Sequence, residues 1–203
     1  MDLKSMALVE VVLRRHAERD GAGLSLSGEH KSRELGARRG RQLSEEGGAQ
    51  VFFHASEVSR AGRTAELIAE GMGGKGVEVV SSSALVGRKK TKPVPEGKEK
   101  AALFKWIRYG VGAKETPEVI GGRVLSKIRE LADEHRRSEG RAVVEVATHE
   151  PTILAFAKVL GFEYDAIKKG VRSLDGLKLR FHEGGGVTAL IGRRSKDVSR
   201  FFK

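Results

Sequence analysis

The run Ala7-Leu8-Val9-Glu10-Val11-Val12-Leu13 ends abruptly in Arg14-Arg15-His16. A short, β-branched, mostly apolar segment reads as a buried strand, of the kind found in parallel sheets. Glu10 interrupts it and belongs near the strand's start or opposite a partner. In open α/β sheets the ligand crevice lies just past the carboxyl ends of the strands, so Arg15 and His16 fall beside it. A guanidinium is a planar fork of donors matched to phosphate oxygens. A histidine next to it is a nucleophile or an acid/base group near neutral pH. The pair reads as the floor of a phosphate pocket.

The remaining chain alternates strands with helices. Residues 7–14, 49–55, 77–80 and 142–147 read as strands. Helices are expected from about Leu26 to Leu43, around Arg60 to Ile68, from Pro117 to Arg137 and from Thr152 to Leu160. Ser25 or Ser27 would cap the first of these, Gly36 and Gly40 weaken it, and Arg38, Arg39 and Arg41 read as its solvated face. Residues 177–182 and 187–192 form a C-terminal hairpin. Such alternation builds a three-layer α/β/α sandwich with a mostly parallel central sheet, here ending in an antiparallel hairpin. Residues 1–203 read as one domain. The segment at about 85–116 breaks the rhythm, with Arg88-Lys89-Lys90-Thr91-Lys92, Pro93 and Pro95 ahead of a short helix. It is either a lid over the pocket or a disordered insertion.

Composition narrows the classes. No apolar run reaches the length of a membrane span, and the N-terminus lacks a signal-peptide layout, so no membrane partner is expected and the cytoplasm is the natural location. Cysteine is absent, which excludes disulfides and thiolate metal sites. The net charge of +11 favours anionic partners, such as phosphorylated metabolites, phosphoproteins or nucleic acid, or else serves solubility. Aromatic residues show no spacing suited to stacking on bases, which argues against a single-strand nucleic-acid platform.

Arg15-His16, Arg60 and His149 each follow a strand, so the parallel sheet brings them to one edge. In order along the chain, Arg15-His16-Ala17, Leu24-Ser25-Leu26-Ser27-Gly28, Ser56-Glu57-Val58-Ser59-Arg60-Ala61-Gly62-Arg63-Thr64-Ala65 and Val146-Ala147-Thr148-His149 resemble the motifs of the histidine phosphatase superfamily, which includes the phosphoglycerate mutases. Glu57 and Val58 stand where that family has proline and leucine. Arg15-His16-Ala17-Glu18 and His149-Glu150-Pro151 also resemble the small phosphohistidine phosphatases of the same superfamily, which are usually shorter.

The resemblance implies a phosphoglycerate mutase-like fold and a metal-independent phosphatase without a cofactor. His16 would be the nucleophile, forming a phosphohistidine that water hydrolyses. Arg15, Arg60 and His149 would hold the phosphoryl oxygens. Phosphoryl transfer needs little beyond positioning and charge stabilisation, which fixed donors in a dry pocket supply. To attack, His16 must carry a lone pair on one nitrogen, so the other needs an acceptor such as a backbone carbonyl. A leaving oxygen also needs a proton. Ser81–Gly87, where mutase-like members place a glutamate, holds no acid. Glu150 is the first candidate donor, or else a helix N-terminal carboxylate. Glu96, Glu99 and Glu18 follow. His30, His54, His135 and His182 read as ordinary core or surface histidines. The substrate would be a phosphorylated small molecule or a phosphoprotein, as a phosphomonoester or a phosphoramidate. A phosphoglycerate mutase-type phosphotransferase and a non-catalytic phosphate- or nucleic-acid-binding module are the alternatives.

Overall fold

The computed structural model describes residues 7–74, 76–86, 95, 97–163, 167 and 170–203. One seven-stranded sheet organises them. Its parallel half comprises β1 (Ala7–Arg15), β4 (Gln50–Ser56), β5 (Val79–Ser82) and β6 (Ala142–Thr148). Its antiparallel half comprises β7 (Gly176–His182), β8 (Val187–Ile191) and β9 (Arg194–Asp197). The strand order is β5-β4-β6-β1-β7-β8-β9. The first strand of the sequence is therefore central, parallel to β6 on one side and antiparallel to β7 on the other. Two short strands, β2 (Arg19–Asp20) and β3 (Gly23–Leu24), form a separate hairpin just after the end of β1.

Helices cover both faces. Val9, Val11 and Leu13 join the main core with Ile120, Val124 and Ile128 of α4 (Pro117–His135) and Ile153 and Phe156 of α5 (Glu150–Val159). Burying each of these side chains contributes about 1.5–3 kcal/mol. The opposite face packs on α1 (Leu26–Glu45) and α2 (Ser59–Gly71) through a smaller apolar set that includes Ala61, Ala65 and Ile68. The two helices approach closely: a Cβ on Gly36 would lie 2.1 Å from the Ile68 carbonyl oxygen, and one on Gly71 2.1 Å from that of Arg33. Gly36 thus lowers helix propensity but, together with Gly71, permits this crossing. Among the described residues no helix is long and apolar enough to cross a membrane.

The expected elements are present with shifted ends. Ser25, not Ser27, caps α1, accepting the Gly28 N–H at 3.0 Å. Helix α5 starts at Glu150, two residues early, with Pro151 in its first turn, where a missing N–H costs nothing. Strand β9 extends the C-terminal hairpin; its exposed Arg-Ser-Lys-Asp sequence has no apolar alternation to announce it, as suits a sheet edge. Within 85–116, α3 (Glu99–Tyr109) places Leu103, Trp106 and Ile107 in the main core. Residues 87–94, which carry the basic run and Pro93, lie outside the described residues.

One expectation is overturned. Arg39 is not on a solvated face but 4% exposed, in an ion network beneath α1. It reaches Glu10 of β1 and Glu145 of β6, the latter at 3.4 Å. Arg14 binds Glu145 at 2.6 Å, and Lys178 and Arg180 of β7 also meet Glu10, at 3.3 and 3.1 Å. Burial alone would raise the Glu10 carboxyl, but Arg39, Lys178 and Arg180 hold it below the ordinary range. Two carboxylates on otherwise apolar strands require buried cations, and α1 supplies one by turning Arg39 inward.

Candidate active site

Strand ends β1, β4 and β6 meet at one edge of the sheet, and with α2 they bring the four strand-end residues together. The His16 N–H donates to the Thr148 carbonyl at 2.9 Å, tying the end of β1 to that of β6. The His16 and His149 rings meet edge to face, with centroids 5.2 Å apart. Arg60, in the first turn of α2, donates from Nε to His16 Nε2 at 3.1 Å. Thr64, one turn on, accepts the Ala17 N–H at 3.2 Å and donates to the Arg60 carbonyl at 2.7 Å. This hydroxyl holds the start of α2 against the chain segment just after the histidine.

The His16 tautomer follows from its partners. Nδ1 lies 2.7 Å from the Ala17 carbonyl oxygen, which can only accept, so Nδ1 carries the proton. Nε2 is then left with a lone pair, and that lone pair accepts from Arg60. Burial pushes His16 down to about 4; the Ala17 carbonyl works against this, and Arg60, Arg15 and Arg19 add to it. Burial likewise lowers His149 to about 4, helped by His16, Arg60 and Arg15. Both rings are therefore neutral at pH 7. His149 Nε2 pairs with the buried Ser56 hydroxyl at 3.0 Å.

Arg15 is held by two partners. Its Nη1 donates to the Val171 carbonyl at 2.6 Å and lies 3.1 Å from Glu150 Oε2. The other Glu150 oxygen accepts the Val171 N–H at 3.0 Å. The segment after Gly170 is thus clamped between Arg15 and Glu150, whose one oxygen accepts the Val171 N–H while the other faces the Arg15 guanidinium. Gly170, with φ +77°, lets the backbone pass: a Cβ there would sit 2.3 Å from Glu150 Oε1.

Two of the other acid candidates, Glu18 and Glu99, are turned to solvent. Glu18 is exposed and bonded to Lys31 at 2.8 Å and Ser27 at 3.3 Å. Glu99 is an exposed residue at the start of α3. Glu96 is outside the described residues. His54 and His135 are buried away from the site, with His135 stacked on Phe52 at 3.8 Å. His30 pairs with Glu34, and His182 with Thr188. Among the described residues no group of three His, Asp or Glu side chains is arranged to hold a metal ion.

Sequence reasoning missed Ser56, Val171 and Arg19. Ser56 opens the Ser56–Ala65 motif without a charge to mark a role, Val171 acts through its backbone, and Arg19 joins the site's field from the β2–β3 hairpin. Only the position of Arg19, three residues past His16, was a readable signal.

No protein-family model matches the sequence, and no curated protein sequence matches it. Solved structures do share its fold. A phosphoglycerate mutase from Bacillus anthracis is 17% identical, with a TM-score of 0.64 over 97% of this chain and 96% of that one. A mycobacterial glucosyl-3-phosphoglycerate phosphatase in complex with VO3 is 18% identical, with a TM-score of 0.63 over 86% of this chain and 92% of that one. A phosphoserine phosphatase from Entamoeba histolytica in complex with 3-phosphoglyceric acid is 16% identical, with a TM-score of 0.56 over 85% of this chain and 91% of that one. The chain has the phosphoglycerate mutase-like fold of these phosphatases and mutases.

Proposed function

On the premise of that shared fold, we propose that the protein is a metal-independent phosphatase that works through a phosphohistidine on His16. The observation that carries this reading is the lone pair on His16 Nε2, fixed by the Nδ1–H bond to Ala17 and flanked by Arg60. In the first step Nε2 attacks phosphorus, the N–P bond forms, and the bond to the leaving group breaks. Arg60 shifts its N–H from Nε2 to a phosphoryl oxygen as substrate enters. Arg15 and a neutral His149 supply further donors, stabilising the equatorial charge. In the second step water attacks the phosphohistidine, phosphate departs, and the lone pair returns to Nε2.

Glu150 serves this chemistry by holding Arg15 rather than by protonating the leaving group, because one of its oxygens accepts the Val171 N–H and the other pairs with the Arg15 guanidinium. Substrates whose leaving group needs little protonation are then favoured: a phosphoramidate such as phosphohistidine, or an ester of an acidic alcohol or phenol. The +11 charge suits an anionic substrate, whether a small molecule or a phosphoprotein.

Hydrolysis of an aryl phosphate and of phosphohistidine in EDTA tests the reading. The wild type turns over at least one of them, and His16→Ala abolishes it. Acid-labile, base-stable label on the wild type after rapid quenching identifies the intermediate. Activity that persists in His16→Ala overturns the mechanism.

A further inference from the structure

Helix α2 packs over β4 and β6 with α1 beside it, and the antiparallel strands β7 and β8 extend beyond them. On this side a groove of about 690 Å³ opens. Five cations line it: Arg14, Lys100, Arg172, Lys178 and Arg180. Asp175 is the single carboxylate among the described lining residues. The groove contains neither His16 nor Arg60 nor His149.

Its charge does not balance. Arg14, Lys178 and Arg180 are drawn inward onto Glu145 and Glu10, which also serve the buried Arg39. Counting that network with the groove, among the described residues six cations (Arg14, Arg39, Lys100, Arg172, Lys178, Arg180) face three carboxylates (Glu10, Glu145, Asp175), three more positive charges than negative. An ordinary solvated strand face sends its charged heads into water, where like charges are screened. Here the Arg14 and Lys178 side chains are only 14% and 26% exposed. Burial, with Arg39 and Arg180 nearby, also holds the Lys178 ammonium below its ordinary value. The Arg14 nitrogens are engaged by Glu145 and the Leu174 carbonyl, so at this half-buried floor an arriving anion meets Lys178 and Arg180, where it is worth more than on an open surface. The volume lies within the range of small-molecule sites.

We propose that this groove binds a small anion carrying two or more phosphate groups. One singly charged group leaves most of the surplus unmatched, whereas a phosphate chain meets several cations at once, with arginine forks suited to its oxygens. Val12, Leu190 and Ile191 form an aliphatic wall on which a nucleoside attached to that chain can rest. None of the proposed phosphoryl-binding groups lines it, and among the described residues it meets the candidate active site only at Gly170 and Val171, the segment clamped between Arg15 and Glu150.

Calorimetric titration of the full chain tests this, with inorganic tripolyphosphate and, separately, ATP, in EDTA. The His16→Ala background prevents turnover of either probe. Saturable binding is expected. It weakens at least about tenfold in Lys100→Gln/Arg172→Gln, two exposed side chains whose loss leaves the melting temperature unchanged, and in Arg180→Gln. It survives Arg60→Ala. Equal affinity for both probes assigns recognition to the phosphate chain, and tighter binding of ATP assigns it to a nucleotide. Three results overturn the proposal: no saturable binding, binding unchanged in the groove variants, or binding abolished by Arg60→Ala, which would put the anion in the catalytic crevice.

Discussion

Replacing Glu150 by glutamine separates two roles that one carboxylate can play beside a phosphoryl group. The side chain keeps its shape and can still accept the Val171 N–H, but it loses the charge facing Arg15. The Arg15 side chain is 31% exposed, so solvent screens the pair. A charge-assisted bond at this depth is worth about 1–2 kcal/mol. The bond from Arg15 to the Val171 carbonyl survives and limits the displacement. If the whole loss is expressed in the transition state, kcat/KM falls about 5- to 30-fold. A positioning role makes that loss the same for every leaving group. A general acid behaves differently: its removal costs about 10²- to 10⁴-fold, concentrated on substrates whose leaving oxygen most needs the proton. The assay is kcat/KM across aryl phosphates of graded phenol acidity, for wild type and Glu150→Gln. Parallel lines of log(kcat/KM) against phenol pKa are expected. A variant line that steepens as the phenol becomes less acidic refutes the reasoning and makes Glu150 the proton donor.

Three further outcomes follow from the packing and the charges. His16 and His149 are held at about 4, and buried His54 is also lowered to about 4, chiefly by burial. The unfolded chain therefore binds more protons between about pH 6.5 and 4, and stability falls as pH drops through that window, by about 1–2 kcal/mol per histidine at pH 5. Urea denaturation at pH 7 and pH 5 reads this, and equal midpoints would show the rings are not held neutral. Arg39→Met strips a buried cation from both Glu10 and Glu145. Because Arg14, Lys178 and Arg180 remain, the cost is about 2–3 kcal/mol rather than the full penalty of an unpaired buried charge, read as a lower urea midpoint. Gly36→Ala adds a helix-favouring methyl worth up to about 1 kcal/mol. The collision with the Ile68 carbonyl outweighs it, for a net loss of about 1–3 kcal/mol, and an unchanged or raised melting temperature would mean α1 and α2 separate freely.

The sequence carried the parallel half of the sheet and the residues at its strand ends, because both are written in local pattern. Apolar runs in 7–15 and 142–148 mark strands buried on both faces, and the residue after each run falls at the crevice. The groups that support the floor were harder to see. Ser56 and Thr64 act through hydroxyls whose partners lie 93 and 47 positions away, and Val171 acts through its backbone, where side-chain chemistry gives no sign. Arg39 misled for a related reason. Its neighbours Arg38 and Arg41 made the stretch look like a charged surface, and only the pairing of β1 with β6, which stacks Glu10 and Glu145 on one face, reveals a need for a cation from α1.

Strand β1 sits between β6 and β7, and from Val9 to Arg14 the backbone leading to His16 is paired on both sides. Freeing it means parting the middle of the sheet, which amounts to unfolding the protein. The β2–β3 hairpin has two residues in each strand and, among the described residues, no third strand beside it. Amide exchange should therefore be slowest at the floor of the crevice and fastest at its lip, a few residues apart in the same chain. Changes that retune what enters can accumulate at the lip at little cost to stability, while the reactive imidazole inherits the persistence of the whole sheet.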